Sequence, residues 1–204
     1  RELAREALEL GRQLATLMPA EPEVAGLTAL LELHEARAAT RFDNGRLVLL
    51  KDQDRRRWDR SLIETAVARL RRAAACGRPG PYQLQAAIAA QHALAPSYER
   101  TDWAAVRNLY GHLHTLLPSP VVLLNRAVAT SYVDGPEAAL AEVDALADRL
   151  DGYRLWHATR ADLLCRLGRP AEAVEATRRA LALATNPAER DLLARRLDSL
   201  LSTG

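Results

Sequence analysis

Apolar residues recur every three to four positions along almost the whole chain, and each recurrence stops at a proline, a glycine or an Asp/Asn-containing break. This is the period of an amphipathic helix; a half-buried strand would alternate with period two. Leu3, Ala7, Leu10, Leu14 and Leu17 predict a first helix, stopped by Pro19. Leu27, Leu30, Leu31, His34 and Ala38 mark a second. A third runs from Leu62 to Ala74 and ends at Gly77 and Pro79. Leu84, Ala87, Ile88 and Gln91 mark a fourth, and Val106 to Leu116 a fifth, stopped by Pro118. Further stripes follow at 121–132, 140–150, 155–167, 173–184 and 192–200. Short breaks between helices favour antiparallel neighbours. Thr101-Asp102 and Asn186-Pro187 have the form of helix starts. Aromatic residues are 4% of the chain, so the core must be close-packed Leu and Ala.

One segment departs from this pattern. Asp43-Asn44-Gly45 is a turn signal, and Leu47 to Leu50 is an apolar run too short for a helix. It is expected to be extended, although a lone strand makes no sheet.

Small residues carry a longer period. Ala104, Gly111 and Pro118 recur 69 residues later as Ala173, Ala180 and Pro187, with Ala138 and Ala145 between them. The spacing is two units of about 34 to 35 residues, the length of a two-helix repeat. In the last unit Ala161, Gly168, Ala173, Ala180 and Pro187 sit where tetratricopeptide repeats place small residues and proline. Leu164 and Thr177 hold the usual aromatic positions. The final, Arg-rich helix suits a terminal cap.

Composition narrows the function. A net charge of +2 does not make a nucleic-acid surface. No apolar run approaches the roughly 18 residues of a membrane span. Cys76 and Cys165 lack CxxC spacing and are expected to be small buried residues in a reducing cytoplasm. The chain opens on an amphipathic helix, with neither a leader nor an initiator Met, and is expected to be a piece of something longer.

Catalytic signatures are missing. His34 lies on an apolar stripe and reads as a hydrogen-bonded core histidine. His34-Glu35 has no second histidine one turn on, so the helical zinc motif fails. His112 and His114 are two apart and point in different directions on a helix. There is no Gly-x-Ser-x-Gly elbow and no phosphate-cradling glycine loop. No catalytic residue, metal or cofactor is expected. An enzyme would need a compact pocket holding two or more of Asp52, Asp54, His34 and His157.

The densest chemistry is Asp52-Gln53-Asp54-Arg55-Arg56-Arg57-Trp58-Asp59. Three acids could hold a cation, but Arg56 takes the third ligand position of a calcium loop and no glycine follows. Two readings stay open. One is a helix start, with Asp54 or Asp59 as cap, or Ser61 and Glu64 as a capping box. The other is a docking element of Asp52, Gln53, Asp54, Arg55, Trp58 and Asp59, with Trp58 as anchor, because Trp and Arg are enriched in interface hot spots. Gln85, Gln91 and Asn125 are candidates for a polar groove, or for plain hydrogen bonds between helices.

Several motifs in one order then carry a resemblance. They are Glu21-Pro22-Glu23-Val24, Leu49-Leu50 through Trp58-Asp59, Gly77-Arg78-Pro79-Gly80-Pro81-Tyr82 through Ala90, Thr101-Asp102-Trp103, Ser119-Pro120-Val121-Val122 with Leu124-Asn125-Arg126-Ala127-Val128-Ala129, and Thr185-Asn186-Pro187-Ala188-Glu189-Arg190. With these, the chain resembles the long C-terminal extension of extracytoplasmic-function (ECF) RNA polymerase sigma factors of the DGPF-associated group. Lys51 stands where that family commonly has an acid. The resemblance implies regulation of transcription initiation in cis. The partners would be the sigma domains of the same polypeptide and core RNA polymerase, with promoter DNA met only through the absent N-terminal domains.

The expectation is thus an all-α, tetratricopeptide-like helical-repeat solenoid of about ten antiparallel helices with one irregular loop at 41–59. Residues 1–18 would be a junction helix after the missing sigma domains, and 19–204 the repeat domain. The alternative function is a ligand- or peptide-binding helical-repeat sensor.

Overall fold

The computed structural model describes residues 2–202, the Glu2 side chain excepted; Arg1 of the expected junction helix and Thr203 and Gly204 of the expected repeat domain lie outside the described residues. Among the described residues there are eleven α-helices and one two-stranded hairpin. The protein is an all-α helical-repeat protein. It divides into two compact units, one of Arg1–Asp43 with Val48–Pro118, the other of Asn44–Leu47 with Ser119–Gly204.

The first unit holds α1 (Glu2–Leu17), α2 (Pro22–Ala36), α3 (Arg60–Ala74), α4 (Pro81–Leu94) and α5 (Trp103–Leu116). Helix α2 is its hub and packs against α1, α3 and α4. Its contact surface is made of small residues. Ala29 and Ala36 meet Ala66 of α3 and Ala86 and Ala90 of α4, with Leu33, Trp58, Ile63 and Val67 filling between them. Gly26 lets α2 and α4 approach: a Cβ there would stand 2.7 Å from the Gln83 backbone nitrogen. Glu23 of α2 caps α4, accepting from the backbone N–H groups of Tyr82 at 2.9 Å and Gln83 at 3.0 Å. The preceding Gly80 offers no side chain to do so.

Helix α1 presents a different face from the one its stripe suggests. Leu8 and Gly11 turn inward, and Thr28 Oγ1 donates to the Gly11 carbonyl at 2.9 Å. Leu3 and Leu17 are each 78% exposed and Leu10 64%. Two adjacent apolar stripes run along this helix, and α2 uses only one.

The second unit holds α6 (Pro120–Val133), α7 (Pro136–Asp144), α8 (Ala147–Leu150), α9 (Arg154–Arg166), α10 (Pro170–Leu183) and α11 (Pro187–Ser202). Neighbours in sequence pack on one another, α6 on α7, α9 on α10 and α10 on α11. The expected repeat holds in the α9–α10 pair. Ala161, Ala173 and Ala180 are fully buried, Gly168 supplies the left-handed turn at φ +68°, and Pro187 opens α11. It fails one unit earlier. Ala138 and Ala145 are exposed, and Ala139 is the buried small residue. The expected seventh helix is broken there into α7 and α8, which shifts the register and raises the helix number from about ten to eleven.

Two helix starts take the form that the sequence predicts. Asp102 accepts from the Ala105 N–H at 2.9 Å, and Asn186 from the Ala188 N–H at 2.9 Å. Cys76 is a correction: it is exposed beyond the last turn of α3, whereas Cys165 is half-buried. Among the described residues no helix is long and apolar enough to cross a membrane.

Candidate functional site

The irregular segment is ordered by its own polar groups. After α2 the chain makes a 3-10 turn at Ala38–Thr40. A hairpin of β1 (Phe42–Asp43) and β2 (Arg46–Leu47) follows, turning through Asn44 and Gly45, both at positive φ. Of the apolar run Leu47–Leu50, only Leu47 lies in a strand, and Leu50 begins the next 3-10 turn. Two more 3-10 turns, Leu50–Asp52 and Arg55–Arg57, lead into α3.

Trp58 closes this segment from inside. It is 4% exposed and packs in the α2–α3–α4 core. Its indole Nε1–H donates to Thr40 Oγ1 at 2.9 Å, and the single Thr40 hydroxyl proton lies between two acceptors, the Arg37 carbonyl at 2.9 Å and Gln53 Oε1 at 3.2 Å. Gln53 Nε2 donates to the Val48 carbonyl at 3.2 Å. Arg55 lies over the indole, its guanidinium carbon 4.6 Å from the ring centroid. Its Nη1 donates to the carbonyls of His92 and, at 3.0 Å, Ala95. Gln53, Arg55 and Trp58 are therefore interior residues that tie the loop to α2 and α4. The expected Trp58 anchor has no face to offer a partner, because burying an indole in an aliphatic core is worth more than leaving it wet.

The acids behave as helix and turn starts. Asp59 caps α3, accepting from the Leu62 N–H at 2.9 Å, so the Ser61/Glu64 box does not form. Asp54 caps the Arg55–Arg57 turn and takes Arg56 on both oxygens at 3.0 Å. These bonds, with Arg56's charge, hold the Asp54 carboxyl below its ordinary range. Asp52, Arg56, Arg57 and Asp59 remain exposed, and with them the segment shows a charged edge.

Two histidines flank the Trp58 core. Burial first, then the charges of Arg37 and Arg41, pushes His34 down to about 4. Burial, then Arg55 and Arg37, pushes His92 down to about 4. Both are neutral at pH 7. Arg37 Nη2 and His34 Nδ1 are 3.1 Å apart, with Arg37 the donor. A cavity of about 30 Å³ lies here, bordered by Arg37, Leu50, Trp58 and His92.

The other candidates fall elsewhere. Gln85 and Gln91 are half-buried on α4 of the first unit, Asn125 is exposed on α6 of the second, and none of them borders that cavity. His157 is buried in the second unit, its Nε2 2.6 Å from the Asp151 carbonyl. Asp52, Asp54 and His34 belong to the first unit. Among the described residues no group of three His, Cys, Asp or Glu side chains could hold a metal.

Sequence reasoning missed Glu32. It is 1% exposed and takes Arg69 of α3 on both oxygens at 3.1 Å, with Arg12 of α1 at 3.7 Å. The signal was present: a Glu on the buried side of α2, between Thr28 and Ala36, must find a cation.

Residues 1–74 match a protein family of unknown function, DUF6596. The chain is 54% identical over 200 residues to an uncharacterized protein of Rhizobium meliloti (strain 1021). The match covers 98% of this chain but 47% of that protein, so the chain spans about half the length of the relative. No solved structure matches.

Proposed function

We propose that the chain is the regulatory C-terminal domain of an ECF sigma factor, working in the cytoplasm and controlling transcription initiation by docking on the sigma core of the same polypeptide or on RNA polymerase. The observation that carries the reading is the outer stripe of α1. Leu3, Leu10 and Leu17, seven residues apart, leave three leucine side chains in water on a helix whose other face is packed. Covering each would gain about 2 kcal/mol. A strict seven-residue spacing is the seam that a second helix covers. The sigma segments that the resemblance places before this helix are the natural cover. The motif series in the sequence and the match to about half of a longer relative support a module within a larger chain.

The charged edge of the 52–59 segment is the second contact, now without Trp58. Asp52, Arg56 and Arg57 are exposed and set no core bond beyond the Asp54–Arg56 pair and an Arg57–Ala39 carbonyl contact at 3.4 Å. The test is promoter-specific transcription by the longer polypeptide bearing Asp52→Ala, Arg56→Ala and Arg57→Ala. A severalfold change with an intact fold supports docking. Wild-type transcription removes this edge from the contact.

A further inference from the structure

Helix α1 is lightly held. Among its described residues only Leu8 and Gly11 are buried, and Ala7, Leu14 and Ala15 are half-buried. The buried core shared by α2, α3 and α4 contains no residue of α1. The helix packs on α2. Toward α3 it leaves a groove of about 340 Å³, bordered by Ala15 and Met18 on one side and by Arg72, Ala73 and Cys76 on the other. The turn that joins α1 to α2 is on the surface. Met18, Pro19 and Ala20 are exposed, and the Glu21 N–H closes the turn on the Met18 carbonyl at 3.1 Å. Arg78 meets the Ala20 carbonyl at 3.4 Å, which ties this pivot, and not the helix, to the rest of the unit.

The polar ties across the α1–α2 contact are ones that α2 can lose. Thr28 Oγ1 has the Gly11 carbonyl of α1 at 2.9 Å, and the Val24 carbonyl of its own helix also at 2.9 Å. Its single proton needs one acceptor. Glu32 has Arg12 of α1 at 3.7 Å, but Arg69 of α3 holds both its oxygens at 3.1 Å. Arg5 reaches Glu35 at 3.4 Å from the exposed side, where an ion pair contributes little. Departure of α1 therefore leaves Thr28 and Glu32 with protein partners and Glu35 with water. Ala29, Leu33 and Ala36 of α2 stay shut in the core with α3 and α4. A segment with so little buried apolar surface opens by itself, well below the free energy of global unfolding.

We propose that α1 is a releasable helix, which swings off α2 about the 18–21 turn while α2, α3 and α4 stay packed. Docked, it shows Leu3, Leu10 and Leu17 and hides Leu8; released, it shows both apolar stripes. A partner that grips the helix on both sides selects the released state. The release does not rest on the sigma-factor reading, because it is a property of the 204-residue chain. Thr28 lies under α1 and the adjacent Ala29 lies in the α2–α3–α4 core, and both are fully buried. Thr28→Cys and Ala29→Cys are made separately in a chain carrying Cys76→Ser and Cys165→Ser, and thiol labelling by dithionitrobenzoic acid is timed without denaturant. Thr28→Cys is expected to react roughly a hundredfold faster than Ala29→Cys. Adding Leu8→Ala should speed Thr28→Cys about tenfold further and leave Ala29→Cys unchanged. Equal rates for the two thiols, or a Leu8→Ala effect of the same size on both, mean that α1 leaves only when the unit unfolds, and overturn the proposal. If a variant does not melt like its parent, amide hydrogen exchange of the unaltered chain decides. A freed helix of 16 residues is marginal in water, so amides of 8–17 should exchange roughly a hundredfold faster than those of 26–36. Equal protection of the two stretches overturns the release.

Discussion

Trp58 donates its indole N–H to Thr40 Oγ1 at 2.9 Å, across 18 residues of chain, and so pins the start of the irregular segment to its end. The threonine hydroxyl in turn has the Arg37 carbonyl at 2.9 Å and Gln53 Oε1 at 3.2 Å within reach. A short polar chain thus does for this segment what a helical ladder does for its neighbours. It explains why Gln and Trp stand in the 52–59 cluster: they hold the loop that displays the exposed charges.

Trp58→Ala is therefore expected to act on stability. The loss of an indole from an aliphatic core costs about 3–5 kcal/mol. Thr40→Val, which removes the acceptor but keeps the shape, should cost about 1–3 kcal/mol by leaving the indole N–H unmet. Asp52→Ala, on the exposed rim, should stay within about 0.5 kcal/mol of wild type. Urea denaturation of the three variants checks the order.

The Glu32–Arg69 clasp makes a second prediction. Arg69→Met strands a carboxylate that is 1% exposed, with Arg12 at 3.7 Å as its remaining partner. The expected loss is roughly 3 kcal/mol. The double variant Glu32→Leu with Arg69→Met should recover much of it, because both polar ends go together. A double variant no better than the single one would contradict the clasp.

How much of this was legible in the sequence depends on whether a feature was local. Gly168, Asp102 and Asn186 were readable because a left-handed turn or a cap is decided within a few residues. The α9–α10 pair was readable for the same reason: small residues at repeat spacing report a close crossing wherever they occur. Leu3, Leu10 and Leu17 misled, since α1 carries two apolar stripes and only α2 decides between them. Trp58 misled because its residue type suits both an interface and a core, and the hydroxyl that turns it inward lies 18 residues away. Glu32 was overlooked because its partner is on another helix, 37 residues on.

Acid should weaken the first unit through His34 and His92. Each has a folded-state pKa of about 4 against an ordinary 6.5. The unfolded chain therefore takes up protons near pH 6.5 that the folded chain refuses until about pH 4. Their stabilising contribution is complete above about pH 6.5 and is lost as the pH falls toward 4. It amounts to at most about 3 kcal/mol per histidine at 1.36 kcal/mol per pKa unit. Urea midpoints at pH 7.5 and 4.5 should differ by more in wild type than in His34→Gln with His92→Gln. An equal drop in both would show that other groups set the acid response.

The outer stripe of α1 gives the sharpest test of the proposed role. Leu10→Ser with Leu17→Ser changes two exposed side chains, so the melting temperature of the 204-residue chain should barely move. The measurement is promoter-specific transcription by the longer polypeptide carrying both changes. A severalfold change, in either direction, is expected, because the helix no longer seats against the sigma segments. Transcription equal to wild type, from a polypeptide whose helical domain is still folded, would contradict it.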